Sequence, residues 1–200
     1  MKSFPLGRVA FFVTGNVHKF DEARRVLAEY NIAATMLTVD AVEIQHDRVE
    51  EIARTRAKDA VKKCGLPIIV EDAGLFVKAL RDFPGPYSSY TYRTIGSKGI
   101  LRLMENVEER EAHFHSVVAF SSPDEPPRCF HGSVKGEISE EERGSHGFGF
   151  DPIFKPSNGH DRTFAEMTKE QKNRHSHRGK ALREFAKWYR HAFKTEVFQT

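Results

Sequence analysis

The chain has 200 residues, of which 39% are hydrophobic and 30% are charged, the proportions of a globular protein that buries a full core. Its net charge of +3 and its pI of about 8.8 are only mildly basic, which argues against a dedicated nucleic-acid binder. Two distant cysteines argue against a disulfide framework or a zinc site, and the absence of a long apolar run predicts a cytoplasmic protein with no membrane attachment.

The first part of the chain predicts strands that alternate with amphipathic helices. The continuous apolar run Val9–Val13 is typical of a strand that is buried on both faces. A helix follows over residues 18–30, where Phe20, Ala23 and Leu27 share one face. The next elements are a strand at 35–39, a helix at 50–64 and a buried strand at 66–70 that ends in Glu71 and Asp72.

The middle of the chain is less regular. The prolines and the glycine of residues 82–87 predict a rigid loop without regular structure. Short helices are expected at residues 88–94 and 99–104. Residues 113–120 and 129–134 then predict a β-hairpin with a proline-rich connection.

The chain closes with a predicted helix that begins at Ser176 or His177 and extends to Phe193. Its expected buried side chains are those of Ala181, Phe185, Trp188 and Ala192. Because strands and helices alternate before the hairpin, the sequence predicts an α/β fold with a mixed sheet.

The turn between the first strand and the first helix is a candidate phosphate site. Residues 14–19 expose backbone N–H groups at a helix N-terminus, where the helix dipole favours anions. Thr14 and Asn16 add side-chain donors, and Lys19 adds a positive charge. The segment is not a P-loop, so an asparagine-capped turn with a solvated lysine is an equally open interpretation.

Glu71 and Asp72 are candidate acids at the carboxyl end of a buried strand, where open α/β sheets gather ligands. Adjacent strand residues point to opposite faces, so we expect one acid to face the cleft and the other to pack elsewhere. Glu43, in the irregular stretch after the second strand, is expected to converge on the same edge. Two carboxylates together with triphosphate oxygens suit Mg²⁺, whereas either acid alone is more typical of a surface cap or ion pair.

Two signatures in the last third of the chain predict a nucleobase pocket. Residues 147–152 read Gly-Phe-Gly-Phe-Asp-Pro and offer two aromatic rings for stacking and one carboxylate. Residues 176–178 read Ser-His-Arg and place polar donors at the expected start of a helix. Phe148 and Phe150 also fit a plain core strand, an alternative that the flanking glycines oppose.

Two further clusters have simpler interpretations. His113 and His115 lie on one strand face and suit a metal, but without a third ligand we expect them to face solvent. The basic run 169–178 suits nucleic acid. Because it is short and interrupted, a solvated or pocket-lining segment is the favoured interpretation.

Taken together and in this order, these motifs resemble the inosine/xanthosine triphosphate pyrophosphatase (ITPase-like) family. The match extends from Phe12 to Leu182, nearly the whole chain. Each segment is short, whereas the complete series in order is specific. The matching segments are residues 14–16 with Lys19, 70–75, 83–88, 147–154, 162–167, Lys172 with Asn173, and 176–178.

The resemblance implies one two-lobed α/β domain over residues 1–200, with a mixed, twisted sheet, an active site between the lobes, and a homodimer. It implies Mg²⁺-dependent hydrolysis of noncanonical purine nucleoside triphosphates (ITP, dITP and XTP) to the monophosphate and pyrophosphate, with no nucleic acid required. Asp72 would be the catalytic residue that orients or deprotonates water, and Glu43 and Asp72 would hold the metal. The implied substrate-binding residues are Thr14, Gly15, Asn16, Val17, His18, Lys19, Arg56, Ala73, Phe148, Gly149, Phe150, Asp151, Lys172, His177 and Arg178.

Two positions depart from the family pattern. Ala73 stands where Ser or Thr is common, and Phe150 stands where Tyr or Trp is common, so a hydroxyl and a polar handle are missing. Many members of the family carry a basic residue on the second helix, and this residue aligns best with Arg56, with Lys58 as the alternative. Two other functions stay open, namely a house-cleaning pyrophosphatase for modified pyrimidine nucleotides and a basic RNA-binding module.

Overall fold

The computed structural model describes residues 9–192, which form a seven-stranded mixed sheet with helices on both faces. This confirms the predicted α/β fold. The strands are β1 (Val9–Val13), β2 (Ala33–Leu37), β3 (Ile68–Val77), β4 (Phe83–Gly85), β5 (Glu111–Ser122), β6 (Glu125–Ile138) and β7 (Phe154–Pro156). The helices are α1 (Val17–Ala28), α2 (Val49–Cys64), α3 (Ser88–Thr94), α4 (Gly96–Leu103), α5 (Lys169–His175) and α6 (His177–Ala192).

The sheet order is β2-β1-β3-β5-β6-β7, with β4 added beside β3. The pairs β1–β2 and β1–β3 are parallel, and all pairs from β3 onward are antiparallel. Parallel strands need crossover helices, and α1 and α2 supply them. The long β5–β6 hairpin is the one that the sequence predicts.

The largest correction concerns β3, which continues to Val77 instead of ending at residue 70. One edge of β3 pairs with β1 at Ile68 and Ile69 and with β4 from Leu75 onward. Between these partners, residues 70–74 pair on that edge with no strand of the described chain. This opening in the sheet lies where β1 ends, and it contains the two predicted acids.

Several other predicted boundaries shift or fail. β2 begins and ends two residues earlier than expected, and α4 begins at Gly96 instead of residue 99. Residues 82–87 were expected to lack regular structure, yet they contain β4. Proline is tolerated there because β4 pairs with β3 through only three residues at the margin of the sheet. The sequence did not predict β7 or α5.

The core lies on both faces of the sheet. On one face α1 and α6 pack around Phe12 and Phe185, and on the other face α2 presents three alanines (Ala53, Ala57 and Ala60) that let it approach closely. A third apolar cluster, around Phe154 and Phe164, fills the far end of the hairpin.

The C-terminal helix follows its predicted face only in part. Ala181 and Phe185 are buried as expected, and Trp188 is partly buried. Ala192 is exposed, so its predicted burial is wrong. Phe193, the predicted end of the helix, lies outside the described residues. None of the helices in residues 9–192 combines the length and the apolar character that crossing a membrane requires.

Candidate active site

A cleft of about 1090 Å³ opens beside the gap in the sheet. Every site residue predicted from the sequence lines this cleft except Val17, whose side chain is 59% exposed on the first turn of α1. Arg56 lines the cleft, whereas Lys58 is exposed and lies outside it. The basic residue of α2 that faces the cleft is therefore Arg56.

The turn after β1 is capped by its own side chains. Asn16 Oδ1 accepts hydrogen bonds from the backbone N–H groups of His18 (2.9 Å) and Lys19 (3.1 Å). Thr14 Oγ1 accepts a third from the Asn16 N–H (3.1 Å). The asparagine-capped interpretation of this turn is thus confirmed for those donors.

Lys19 is not a solvated lysine. Its Nζ lies 2.9 Å from Glu71 Oε2 and donates to the Glu71 carbonyl oxygen at 3.1 Å. That carbonyl lies at the opening in the sheet, where β3 has no strand partner. Lys19 therefore holds its charge at the wall of the cleft.

The acids predicted to bind metal share one cation. Arg56 Nη1 donates to Asp72 Oδ1 at 3.0 Å and lies 4.0 Å from Glu43 Oε1. The second oxygen of Asp72, Oδ2, is buried and has no hydrogen-bond partner in the described residues. Burial raises the pKa of the Asp72 carboxyl even though Lys19 and Arg56 oppose that effect.

The carboxylate oxygens of Asp72 and Glu43 suit a divalent cation that prefers oxygen ligands. Mg²⁺ is usually held by one or two carboxylates together with water and substrate phosphates. Asp72 offers an unpaired oxygen, and Glu43 offers an exposed carboxylate that reaches the same guanidinium. Within residues 9–192, no group of three or more His, Cys, Asp and Glu side chains could hold a metal.

The two predicted stacking aromatics occupy different environments. The Phe148 ring is half-buried at the cleft and stacks on His18 at a centroid distance of 5.3 Å. Lys172 Nζ lies 4.6 Å from the centroid of the Phe148 ring. Phe150 is 4% exposed, belongs to the far apolar cluster and meets Tyr92 edge-on. Phe148 therefore offers the stacking surface, and Phe150 supports it from the core.

Glycine at position 147 is required by the geometry of this loop. Its φ of +77° is in the left-handed region, and a Cβ there would lie 2.1 Å from Asp151 Oδ2. That oxygen accepts the Phe148 N–H at 2.7 Å. The loop thus closes on the Asp151 carboxylate and fixes the backbone that carries the Phe148 ring.

A chain of alternating charges connects the two ends of the cleft. Lys172 Nζ lies 2.5 Å from Asp151 Oδ2 and 2.7 Å from Glu22 Oε1. Arg178 Nη1 donates to Glu22 Oε2 at 2.6 Å, and Arg178 Nε lies 3.1 Å from Glu71 Oε1. Followed from one ion pair to the next, the members of this charge chain are Asp151, Lys172, Glu22, Arg178, Glu71 and Lys19.

The charges in this chain are set by mutual pairing. Burial by itself raises the pKa of Glu22 and of Glu71, but the adjacent cations outweigh it and hold both pKa values below the usual range. For Asp151 burial prevails over Lys172, and the pKa is raised. Burial and the nearby Arg178 lower the pKa of His177 well below its usual value, so the imidazole is neutral.

The position of His177 and Arg178 depends on Gly132 in β6. A Cβ at Gly132 would lie 2.0 Å from the His177 carbonyl oxygen and 2.5 Å from the Ala181 nitrogen. Only glycine lets the first turn of α6 approach β6 this closely. His177 then stacks on Phe114 at 4.4 Å, with its Nδ1 buried and without a hydrogen-bond partner in the described residues.

Sequence reasoning missed several residues of the site. Glu22 is buried and holds two of the predicted base-pocket cations. A signal for it was present, because Glu22 falls on the inward stripe of α1 beside Ala23 and Val26. Glu71 packs on the face of the sheet away from Asp72, as expected for one of the two acids, but its pairing there with Lys19 was not foreseen. Ser88 falls in the matching segment 83–88, but the later α3 residues gave no signal, since only the fold brings α3 to the cleft; those that line it are Ser89, Tyr90, Tyr92 and Arg93.

Of the two clusters with simpler interpretations, the histidines lie outside the cleft and the basic run lies partly inside it. His113 stacks on Phe76, and His115 stacks on His131 with a 3.3 Å contact between ring nitrogens. Both are half-buried and not fully solvated. In the basic run, Lys169 pairs with Asp21 at 2.7 Å, while Lys172 and Arg178 are buried in the charge chain. Within the run Lys172, His177 and Arg178 line the cleft, whereas Lys169 and Arg174 are exposed, so each of the two interpretations holds for part of it.

Comparison with known proteins gives consistent matches over nearly the whole chain. The model of the Ham1 family matches residues 10–188. A dITP/XTP pyrophosphatase of Methanopyrus kandleri is 50% identical over 179 residues, which cover 90% of this chain and 95% of that protein. A dITP/XTP pyrophosphatase of Thermococcus kodakarensis is 50% identical over 183 residues, which cover 92% of this chain and 98% of that protein. The solved structure of a HAM1 protein from Coxiella burnetii is similar with a TM-score of 0.78 at 31% identity, covering 90% of this chain and 98% of that chain.

Proposed function

The chain belongs to the Ham1 family, and we propose that it is a dITP/XTP pyrophosphatase that hydrolyses noncanonical purine nucleoside triphosphates to the monophosphate and pyrophosphate. It is a hydrolase that acts on phosphoanhydride bonds. One observation carries the proposal: a single cleft combines a stacking ring and buried donors with two acids beside a cationic turn. In a purine nucleoside triphosphate the base would lie against the stacking ring and the buried donors, and the phosphates would lie beside the acids and the cationic turn.

Cationic residues bind the phosphates in the proposed reaction. Lys19 and Arg56 contribute positive charge at the cleft wall, and residues 14–16 contribute the turn. Asp72 orients the attacking water, and its raised pKa brings the carboxylate closer to the value that suits a general base. The reaction then needs no covalent intermediate.

Glu43 and Asp72 would hold Mg²⁺, which supplies neutralisation of phosphate charge and polarisation of the reacting phosphoryl group when bound. The unpaired Asp72 oxygen and the exposed Glu43 carboxylate support this assignment. The metal requirement, a homodimeric assembly and a cytoplasmic location stay predictions.

Base selection rests on the 6-position of the purine. Hypoxanthine and xanthine present a 6-oxo acceptor, whereas adenine presents an amine. His177 and Arg178 face the cleft as donors, so adenine would leave buried polar groups unpaired. Guanine also has a 6-oxo group, and its exclusion must arise at position 2.

The alternatives have less support. An RNA-binding module would need a free basic surface, but Lys172 and Arg178 are each paired with buried carboxylates. A pyrimidine-directed pyrophosphatase has no observation in its favour, and the relatives that share half of this chain's residues bear purine names.

A substrate panel tests the proposed function. Purified protein with Mg²⁺ is incubated with ITP, dITP and XTP and with the canonical triphosphates ATP, GTP, CTP and UTP. The release of pyrophosphate and of orthophosphate is measured for each. We expect pyrophosphate and monophosphate from ITP, dITP and XTP, with little turnover of the others. Release of orthophosphate and a nucleoside diphosphate would contradict the proposed hydrolysis to the monophosphate and pyrophosphate. Full activity in excess chelator would contradict the metal requirement.

A further inference from the structure

Glu71 has a buried carboxylate that the proposed reaction does not use. Its side chain is 1% exposed, and it is not among the residues that line the cleft. Glu71 is opposite Val118 and Asp72 is opposite Val117, and these two valines belong to cores on different faces of the sheet. Glu71 therefore points away from Asp72, toward α1 and α6.

The two oxygens of this carboxylate are divided between two cations. Oε2 lies 2.9 Å from Lys19 Nζ, and Oε1 lies 3.1 Å from Arg178 Nε. Ser116 Oγ also donates to Oε1 at 2.6 Å. Lys19 lies at the phosphate end of the cleft and Arg178 at the base end, so one side chain touches a cation from each end.

Charge neutralisation alone does not explain this arrangement. Arg178 already has a second carboxylate partner in Glu22, and a buried ion pair is by itself a weak source of stability. Lys19 has no carboxylate partner other than Glu71 among residues 9–192. A lysine side chain is flexible, so a fixed anion restricts the Lys19 ammonium to one place at the sheet opening.

We propose that Glu71 is a positioning residue that fixes Lys19 and Arg178 relative to each other, so that phosphate affinity and purine discrimination depend on one side chain. The proposal rests on the proposed function for its substrate. It predicts a double effect from one substitution. Removing the carboxylate weakens phosphate binding through Lys19 and weakens base discrimination through Arg178.

Glu71→Gln is the direct test. The amide oxygen can still accept from Ser116 or Arg178, but the amide nitrogen then faces the Lys19 ammonium, donor against donor. Calorimetry gives the dissociation constants for pyrophosphate, IMP and AMP. We expect about a tenfold weaker affinity for pyrophosphate and about a tenfold narrower ratio of IMP to AMP affinity, the size expected for one charged hydrogen bond.

Ser116→Ala is the matched control. It removes a donor from the same carboxylate but leaves both cation contacts, so we expect neither binding quantity to change by more than about twofold. Partial unfolding does not mimic the predicted result, because it weakens the affinities for IMP and AMP by the same factor and leaves their ratio unchanged. If Glu71→Gln does not fold, Glu71→Asp keeps the charge and withdraws it by one methylene, and the same two shifts are expected.

A second substitution separates the effect of Glu71 on phosphate affinity from its effect on base discrimination. In a Lys19→Met background, Glu71→Gln should cause no further loss of pyrophosphate affinity but should still narrow the IMP to AMP ratio. Equal losses in both backgrounds, or unchanged binding in Glu71→Gln, would overturn the proposal. Binding is measured apart from turnover, so an inactive wild-type protein would contradict the proposed function without deciding this test.

Discussion

At the proposed nucleobase end of the cleft the side chains of Glu22, Lys172 and Arg178 are 5%, 3% and 4% exposed, whereas at the proposed reaction end Arg56 and Glu43 are 21% and 66% exposed. The first group lies on α1, α5 and α6. The second group lies on α2 and on the irregular stretch before it. One end of the cleft is built like a protein core and the other like a surface.

The difference fits what the proposed function requires of each end. Discrimination between bases needs donors that do not move, so the charges there are mutually paired and shielded from water. The reaction end must admit a cation, phosphates and water. Buried atoms without hydrogen-bond partners in the described residues occur at both ends, Asp72 Oδ2 and Arg56 Nε at one and His177 Nδ1 at the other, so the contrast lies in exposure and pairing of charge.

The largest effect is expected at the reaction end. Asp72→Asn keeps the shape but removes the anion, so turnover of ITP should fall by about 10²–10⁴-fold. The stability to urea should stay close to that of the wild type, because the carboxylate is paired there with only one partly exposed arginine. Steady-state kinetics and urea unfolding check the two parts. Turnover within a factor of about three of the wild type would exclude Asp72 as the base.

Substitution of a charged residue at the base end should instead lower the free energy of unfolding. Arg178→Ala leaves Glu22 and Glu71 as buried carboxylates without this partner and should lower the free energy of unfolding by about 3–5 kcal/mol. Arg56→Ala is the matched variant at the reaction end, and we expect a loss below about 1 kcal/mol. Similar losses in both variants would erase the contrast between the two ends.

Phe148 should affect affinity without affecting discrimination. Phe148→Ala removes the stacking surface and should weaken binding of all purine triphosphates by about 1–3 kcal/mol, with an unchanged ratio of ITP to ATP. Phe150→Ala should instead lower the free energy of unfolding by about 3–5 kcal/mol, because that ring lies in the core. A changed ITP to ATP ratio in Phe148→Ala would mean that the ring itself selects the base.

The smallest effect is a pH dependence of stability that originates at His177. Burial and the facing cations Arg178, Lys172 and Lys19 lower its pKa in the folded state, and only Glu71 opposes them. The unfolded chain therefore binds a proton near pH 6.5 that the folded chain does not bind. Stability should fall as the pH drops below about 6.5, by at most about 1.4 kcal/mol per pH unit.

His177→Asn should remove this contribution, and His191→Asn, at the exposed end of the same helix, should not. Urea unfolding between pH 7.5 and 5.5 compares the three proteins (~two pH units suffice for the slope). Glu22 and Glu71 have lowered pKa values, so their stabilisation is lost only in a lower window, below about pH 4.5. Parallel pH curves for the wild type and His177→Asn would contradict the buried neutral imidazole.

Local sequence signals were sufficient where structure depends on neighbours in the chain. The apolar run of β1, the alanine face of α2 and the hairpin of β5 and β6 follow from periodicity alone. Within the site, the glycines around Phe148 and the acids at the end of a strand also carry local signals. Sequence reasoning failed at β3, because its continuation to Val77 is stabilised by pairing with β5, which is distant in sequence.

The sequence by itself therefore determined the α/β class, most of the elements and, through its motifs, a set of site residues of which all but Val17 line the cleft. It did not determine which charges pair. Glu22, Glu71 and Lys172 come from three separate segments, and nothing in the sequence indicates that they share partners. Only the tertiary structure buries them together, because the cost of removing each charge from water is offset when an opposite charge from another element lies within about 3 Å.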